Sequence, residues 1–366
     1  MKIVSVIVRT TEACNLGCSY CYVNKSTSNK VIPVAFIEKL VQGLVDADFR
    51  VINIYWHGGE PLLAGRDFYY EAVQICKSIS EKSDVTISNR MQSNATLIDQ
   101  EWIDFFREND FRVGTSLDGI SAVNDKNRLQ NGGQSSFQKA VRGIKLMQSN
   151  GLDTSMLAVL TREHMNSLDE HYAFVKEMGV RTFKVNPCIV NKVEETHLQV
   201  QPVEWGQAMC HLFDLWFDDP MPPRNREFSS LIKSFFVGRH SLCTNCKTCF
   251  KNFLSIVPSG EMYPCAKLIN DDPIFALGNV NDGIERVLLK YSHLERKYDE
   301  LGCNSCKWEK ICYGGCTAYA YWSNKDINTK DYLCEGYKLL YQHVYDRVEK
   351  AISQNDNAKL KNLGIS

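Results

Sequence analysis

The chain has 366 residues, 44% of them hydrophobic, and a formal net charge of −1 at pH 7. That length exceeds one ordinary domain and that apolar fraction can bury a large core, while the near-neutral balance leaves no field with which to grip nucleic acid or an anionic membrane. No run approaches ~18 uninterrupted apolar residues, so no membrane span is expected.

Taken in order, Ile3 to Val8 is a continuous, β-branched apolar run, as expected of a strand buried on both faces. Cys14, Cys18 and Cys21 follow it directly. Pro33 opens a helical pattern with Phe36, Leu40 and Leu44 on one side. Val51 to Trp56 reads as the second strand and ends at His57-Gly58-Gly59-Glu60-Pro61; helix follows to about Ser80. Val85 to Ser88 is the third strand, running towards Asn94, and a helix from Asp99 to Asn109 leads to the fourth, Arg112 to Leu117. A polar loop rich in Asn and Gly (124–136) precedes a helix from Phe137 to Ser149. Thr154 to Leu160 is the fifth strand, His164 to Met178 a helix, and Thr182 to Val185 the sixth strand.

Strand and helix thus alternate six times between Ile3 and Val185, the pattern of a parallel sheet with right-handed crossovers. The expected fold is α/β, a partial (β/α)6 TIM-type barrel, with a doubly wound open sheet as the competing arrangement. Each candidate motif lies just after a strand, the reactive end of a parallel barrel. Beyond Cys188 the alternation stops; helical stretches follow at Trp205 to Phe217 and up to His240, and again from Leu333 to Ile352. The division expected is a barrel over 1–190, a helical connector over 191–240, a cysteine-rich domain over 241–340, and a C-terminal helix and tail over 341–366.

Twelve of the fifteen cysteines fall in two groups, at the N-terminus and between 243 and 334. No secretory signal precedes Cys14, so clustered thiols read as metal ligation in a reducing compartment, the cytoplasm. Three thiolates at the spacing C-x3-C-x2-C can hold three irons of a [4Fe–4S] cube and leave the fourth open to a small molecule, whereas most cluster sites use four cysteines. A zinc site or buried free thiols is the competing reading.

With Gly58-Gly59-Glu60-Pro61 after the second strand, the cysteine loop resembles the radical S-adenosylmethionine (SAM) enzymes. The resemblance implies that the cluster on Cys14, Cys18 and Cys21 binds SAM and splits it to a 5′-deoxyadenosyl radical, which takes a hydrogen atom from the substrate. It implies cofactor contacts from Tyr20, Gly58, Gly59, Glu60, Asn94, Ser116, Arg128 and Arg142. Glycine lets backbone approach a ligand closely, and Glu60 would accept from the SAM ammonium. The bland alternatives are a solvated loop carboxylate for Glu60 and a helix-surface cation for Arg142.

The C-terminal cysteines are similar to those of the SPASM domain, which implies two auxiliary [4Fe–4S] clusters and three in all. One would use Cys243, Cys249, Cys265 and Cys316; the other Cys303, Cys306, Cys312 and Cys334. Cys246 is then spare, or a substitute for Cys243, and Cys188 is either packed or a thiol hydrogen donor.

Two groups within the family resemble the chain. Anaerobic sulfatase-maturating enzymes share its length and layout but are expected to carry an aspartate base after the Tyr-Pro-Cys cysteine, where this chain has Ala266, so Asp118 is a possible replacement base. The string Trp56 to Gly65 looks more like the maturases of ribosomally made peptides, so the leading expectation is oxidative crosslinking of peptide side chains through a C–C, ether or thioether bond. Sulfatase maturation and a small-molecule dehydrogenase or epimerase are the alternatives. The expected partners are a peptide or protein substrate and a low-potential electron donor such as flavodoxin or ferredoxin. With the first strand starting at Ile3, no leader-binding domain is expected before the barrel, and a leader would be read by a separate protein or by the surfaces of the barrel and SPASM domain, including Glu194 and Glu195.

Overall fold

A computed structural model describes residues 2–23, 29–190, 193–240, 242–246, 249–269, 271–292, 294–356 and 359. The side chains of Glu194 and Glu195 lie outside this description. All six expected strands form: β1 (Lys2–Thr11), β2 (Phe49–Gly58), β3 (Thr86–Ser93), β4 (Arg112–Ser116), β5 (Ser155–Leu160) and β6 (Thr182–Pro187). Three short strands follow, β7 (Phe253–Ile256), β8 (Glu261–Tyr263) and β9 (Gly278–Asn279). The chain divides into two compact units that do not follow its order: residues 1–116, 125–154 and 250–295 form the first, and 117–124, 155–249 and 296–366 the second.

In the first unit the strands run β4-β3-β2-β1-β7-β8-β9. β1 pairs in parallel with β2 on one side and with β7 on the other, β2 with β3 and β3 with β4 likewise, and β8 and β9 continue antiparallel. Alternation sorts the side chains. Ile52, Ile54 and Trp56 are fully buried, and Trp56 meets Phe68 and Tyr69 of the helix Arg66–Ser83 edge to face. Tyr69 in turn meets Trp102 of the helix Gln100–Glu108. The intervening residues Asn53, Tyr55 and His57 stay half-buried on the opposite face, so one face is an aromatic core and the other is polar.

The second unit holds the parallel pair β5–β6 and is otherwise helical. Its longest helices, Pro202–Asp218 and Cys334–Ser353, meet at two glycines: a Cβ on Gly206 would lie 2.7 Å from the Gly336 Cα, so any side chain there would force the helices apart. Phe213, Trp216 and Phe228 complete the packing.

The sequence leaves β7 to β9 unread for a physical reason: strands of two to four residues have too little periodicity to stand out among turns. Among the described residues no helix is long and apolar enough to cross a membrane.

Candidate functional site

β1 ends at Thr11 and delivers the cysteine loop at the carboxyl end of the parallel strands. The loop is clamped by the polar segment that the sequence shows only as Asn/Gly-rich. Gly17 N–H donates to the Leu129 carbonyl at 2.8 Å and Ser19 N–H to that of Asn127 at 3.0 Å. Asn131 Nδ2 donates to the Cys14 carbonyl at 2.7 Å. Cys14, Cys18 and Cys21 are all half-buried. Leu16 N–H donates to Cys14 Sγ at 3.4 Å, while burial pushes the Cys14 thiol up to about 12.

The loop after β2 enters against this one. Gly58 has φ +140°, and a Cβ on it would lie 2.2 Å from the Thr11 carbonyl oxygen; at Gly59 the clash would be with the Ala13 oxygen at 2.1 Å. The close approach that requires glycine is therefore made by the end of β1 and the start of the cysteine loop. Their N–H groups fix the contact: Gly59 N donates to Thr11 O at 2.9 Å and Glu60 N to Ala13 O at 2.8 Å.

Glu60 is fully buried, which rules out the solvated carboxylate. It accepts from Ser93 Oγ at 2.8 Å, Asn94 N–H at 2.7 Å and Leu62 N–H at 3.2 Å. Burial raises its carboxyl to about 7, and these three donors and the nearby Arg128 pull the other way. Asn94 Nδ2 donates to Asn15 Oδ1 at 2.8 Å, and Asn15 Nδ2 to Thr96 Oγ1 at 2.8 Å. One hydrogen-bonded network thus joins the cysteine loop, the β2 end and the β3 end. Arg128, 7% exposed, donates through Nη1 to Tyr20 Oη at 2.9 Å. Ser116, at the end of β4, accepts from Gln92 Nε2 at 2.9 Å. Arg142 is exposed and reaches only Thr96 O, at 3.5 Å.

Of the C-terminal thiols, Cys303, Cys306, Cys312 and Cys334 line one cavity, walled in part by Trp308, Tyr337 and Tyr341. Burial, first, and the neighbouring thiols raise Cys312 to about 12. Gly314 and Gly315 (φ +74° and +73°) turn the chain between Cys312 and Cys316; Cβ atoms there would strike Leu301 and Asp331 at 2.5 and 2.4 Å. Arg296, 4% exposed, donates to the carbonyls of Gly314, Gly315, Ile327 and Thr329. Cys249 and Cys316 are buried, Cys243 is exposed and Cys265 half-buried. Cys246 Sγ lies 3.6 Å from the Cys243 carbonyl. Cys265 belongs to the first unit, where Arg9 Nη2 donates to the carbonyl of the next residue, Ala266, at 3.0 Å.

The radical SAM superfamily model matches residues 8–175. A serine-type anaerobic sulfatase-maturating enzyme of Klebsiella aerogenes is 30% identical over 350 residues, covering 91% of this chain and 82% of that protein. The chain belongs to the radical SAM superfamily, in the family of the anaerobic sulfatase-maturating enzymes. A cysteine-type relative from Clostridium perfringens is 26% identical and covers 95% of this chain and 98% of its own length. The solved structure of native anSMEcpe with bound AdoMet and the Kp18Cys peptide superposes with a TM-score of 0.86 at 25% identity, over 96% of this radical SAM enzyme and 99% of that chain. The expected fold, a parallel α/β barrel type with a cysteine-rich SPASM-like region after it, is the fold found.

The residues fit the groups that the family implies. No disulfide joins any of the fifteen cysteines, all of them described. Among the described residues no three His, Cys, Asp or Glu side chains converge on a point that could hold a single metal ion; cluster thiolates bind separate irons and share no such point. The Leu16 amide aimed at Cys14 Sγ is the kind of donor that a ligating thiolate would accept. This radical SAM enzyme buries Cys188 to 3% exposure. Asp118 is buried too and accepts from Val159 N–H at 3.0 Å, as a structural carboxylate does. Asn15, Thr96, Asn127 and Arg296 are the residues that motif reading passes over, because their work is to hold loops rather than ligands.

Proposed function

We propose that this radical SAM enzyme oxidises a side chain within a polypeptide substrate, holding SAM at a [4Fe–4S] cluster on Cys14, Cys18 and Cys21. When bound, cluster and SAM supply a 5′-deoxyadenosyl radical that removes a hydrogen atom from the substrate. The observation that carries the reading is the single network of Asn15, Glu60, Asn94 and Thr96, which fixes three strand ends around the cysteine loop. Glu60 keeps lone-pair capacity beyond its three donors and takes the SAM ammonium; Arg128 orients Tyr20 beside the cysteines. Ser116 and Arg142 take the carboxylate. Cys303, Cys306, Cys312 and Cys334 hold one auxiliary cluster, and others of the C-terminal cysteines hold the second. These provide an exit for the second electron, towards a flavodoxin- or ferredoxin-type protein in a reducing, cytoplasmic setting.

Formylglycine formation in a sulfatase has the support of relatives that match along nearly their whole length. A specific observation favours peptide crosslinking instead: Ala266, 5% exposed, offers no proton acceptor at the place where a sulfatase-maturating enzyme is expected to have its base. Anaerobic co-expression with a sulfatase peptide and with short peptides encoded beside the gene, followed by mass spectrometry, separates the two. Loss of two hydrogens from a peptide, with fragmentation blocked between two residues, establishes crosslinking; an aldehyde trapped on a Cys or Ser establishes formylglycine. If neither peptide is altered while SAM is still cleaved, the polypeptide substrate is wrong.

A further inference from the structure

We infer that Asn245 and Tyr341 are positioning residues that aim a hydrogen-bond relay at the Cys312 sulfur and so set the reduction potential of the cluster Cys312 helps to hold. The inference rests on the proposed ligand set of Cys303, Cys306, Cys312 and Cys334. Asn245 ends the short 3-10 turn Cys243–Asn245 and is only 3% exposed, although Cys243 beside it is exposed. A polar side chain is buried here for a reason local to it. Its Nδ2 donates to Tyr341 Oη at 2.9 Å. The same nitrogen lies 3.4 Å from the Cys312 carbonyl and 3.9 Å from Cys312 Sγ. An amide nitrogen has two hydrogens: one is taken by Tyr341 and the other faces Cys312.

Because Tyr341 Oη accepts from Asn245, its own hydrogen is left for another acceptor, and Tyr341 lines the same cavity as Cys312. Tyr341 is 2% exposed, with Trp308 edge-on at 6.0 Å and Tyr337 at 5.6 Å. The relay therefore works in a low dielectric, where dipoles act strongly. N–H and O–H dipoles aimed at a ligating sulfur favour the electron-rich, reduced cluster and raise its potential. Neither residue is a proposed ligand, and a phenylalanine would fill the wall at position 341 without the hydroxyl.

The test is an EPR-monitored potentiometric titration of the iron-loaded, full-length enzyme as wild type, Tyr341→Phe and Asn245→Leu. The expected result is that one cluster moves to a more negative midpoint in Tyr341→Phe, and less far in the same direction in Asn245→Leu, with the SAM-cleaving cluster unmoved. Unchanged midpoints in both variants overturn the inference, as does loss of about four irons from Tyr341→Phe, which would make the tyrosine a wall alone. Cys312→Ser distinguishes failure of the underlying reading: retention of all its iron removes the ligand set itself, whatever the potentials.

Discussion

Two thiol groups of the molecule differ in what surrounds the sulfurs. Cys14, Cys18 and Cys21 sit in a loop fastened by polar side chains, with a buried carboxylate and Arg128 nearby. Cys303, Cys306, Cys312 and Cys334 line one cavity whose wall includes Trp308, Tyr337 and Tyr341. The first setting has three thiols with charged and amide groups around them, as suits an iron that must take a polar ligand. The second has four thiols and a wall made largely of aromatic rings, as suits a saturated cluster that exchanges only electrons. Structural and catalytic zinc sites divide in the same way, the first closed and the second keeping a position open.

The largest effect follows from the open group. Anaerobically reconstituted enzyme should hold about twelve irons. Changing Cys14, Cys18 or Cys21 to Ala should remove about four of them and abolish SAM cleavage, read as 5′-deoxyadenosine by chromatography. The closed group should behave differently. Cys312→Ala should also lose about four irons, yet keep SAM cleavage within about tenfold of wild type, a change of ~1.4 kcal/mol in barrier, while product formation is lost. If Cys312→Ala silences SAM cleavage as completely as Cys14→Ala, the contrast between open and closed settings collapses.

Much of the first group was legible in the sequence, and less of its support. Spacing alone identifies Cys14, Cys18 and Cys21, because ligand geometry is local to one loop. The β1 and β2 runs are long and apolar enough to place that loop at a strand end. What clamps it, Asn127 to Asn131, arrives from more than a hundred residues away, largely through the carbonyls of Asn127 and Leu129 with the Asn131 amide beside them, and carbonyls leave no mark on residue identity. The same holds for Arg296, whose acceptors are four carbonyls. Gly58 and Gly59 were visible as glycines, but their immediate cause, the Thr11 and Ala13 oxygens, needed coordinates. Among the thiols, four of the C-terminal cysteines grouped by spacing do share a cavity, since three of them lie within ten residues of chain.

An intermediate effect belongs to Glu60. Its carboxyl is raised from 4.5 to about 7, chiefly by burial, so the folded protein binds that proton more tightly than the unfolded chain. Its contribution to stability is then greatest below pH 4.5 and declines as pH rises to about 7. Glu60→Gln, neutral throughout, should remove that decline in cluster-free protein followed by thermal melts between pH 5 and 8. SAM affinity should run the opposite way: the wild type gains as the carboxylate ionises, and the variant stays weak and flat. A wild-type affinity that does not change across this range would remove Glu60 from the ammonium site.

The smallest effect separates Arg142 from Arg128. Arg128 is buried and bonded to Tyr20, so its loss disturbs the loop as well as any ligand. Arg142 is exposed, and its contact to Thr96 O at 3.5 Å is at the outer limit of a hydrogen bond. Arg142→Ala should therefore leave stability within ~0.5 kcal/mol of wild type, so any change in SAM binding reports the ligand and not the fold. A solvent-exposed ion pair to the SAM carboxylate is worth ~0.2–1 kcal/mol, so the dissociation constant measured by anaerobic calorimetry should rise about 1.4- to fivefold. The rise should shrink as salt is added, because an exposed pair is screened. An unchanged constant at low salt would leave Arg142 as a cation on the surface of its helix and confine SAM recognition to the buried network around Glu60.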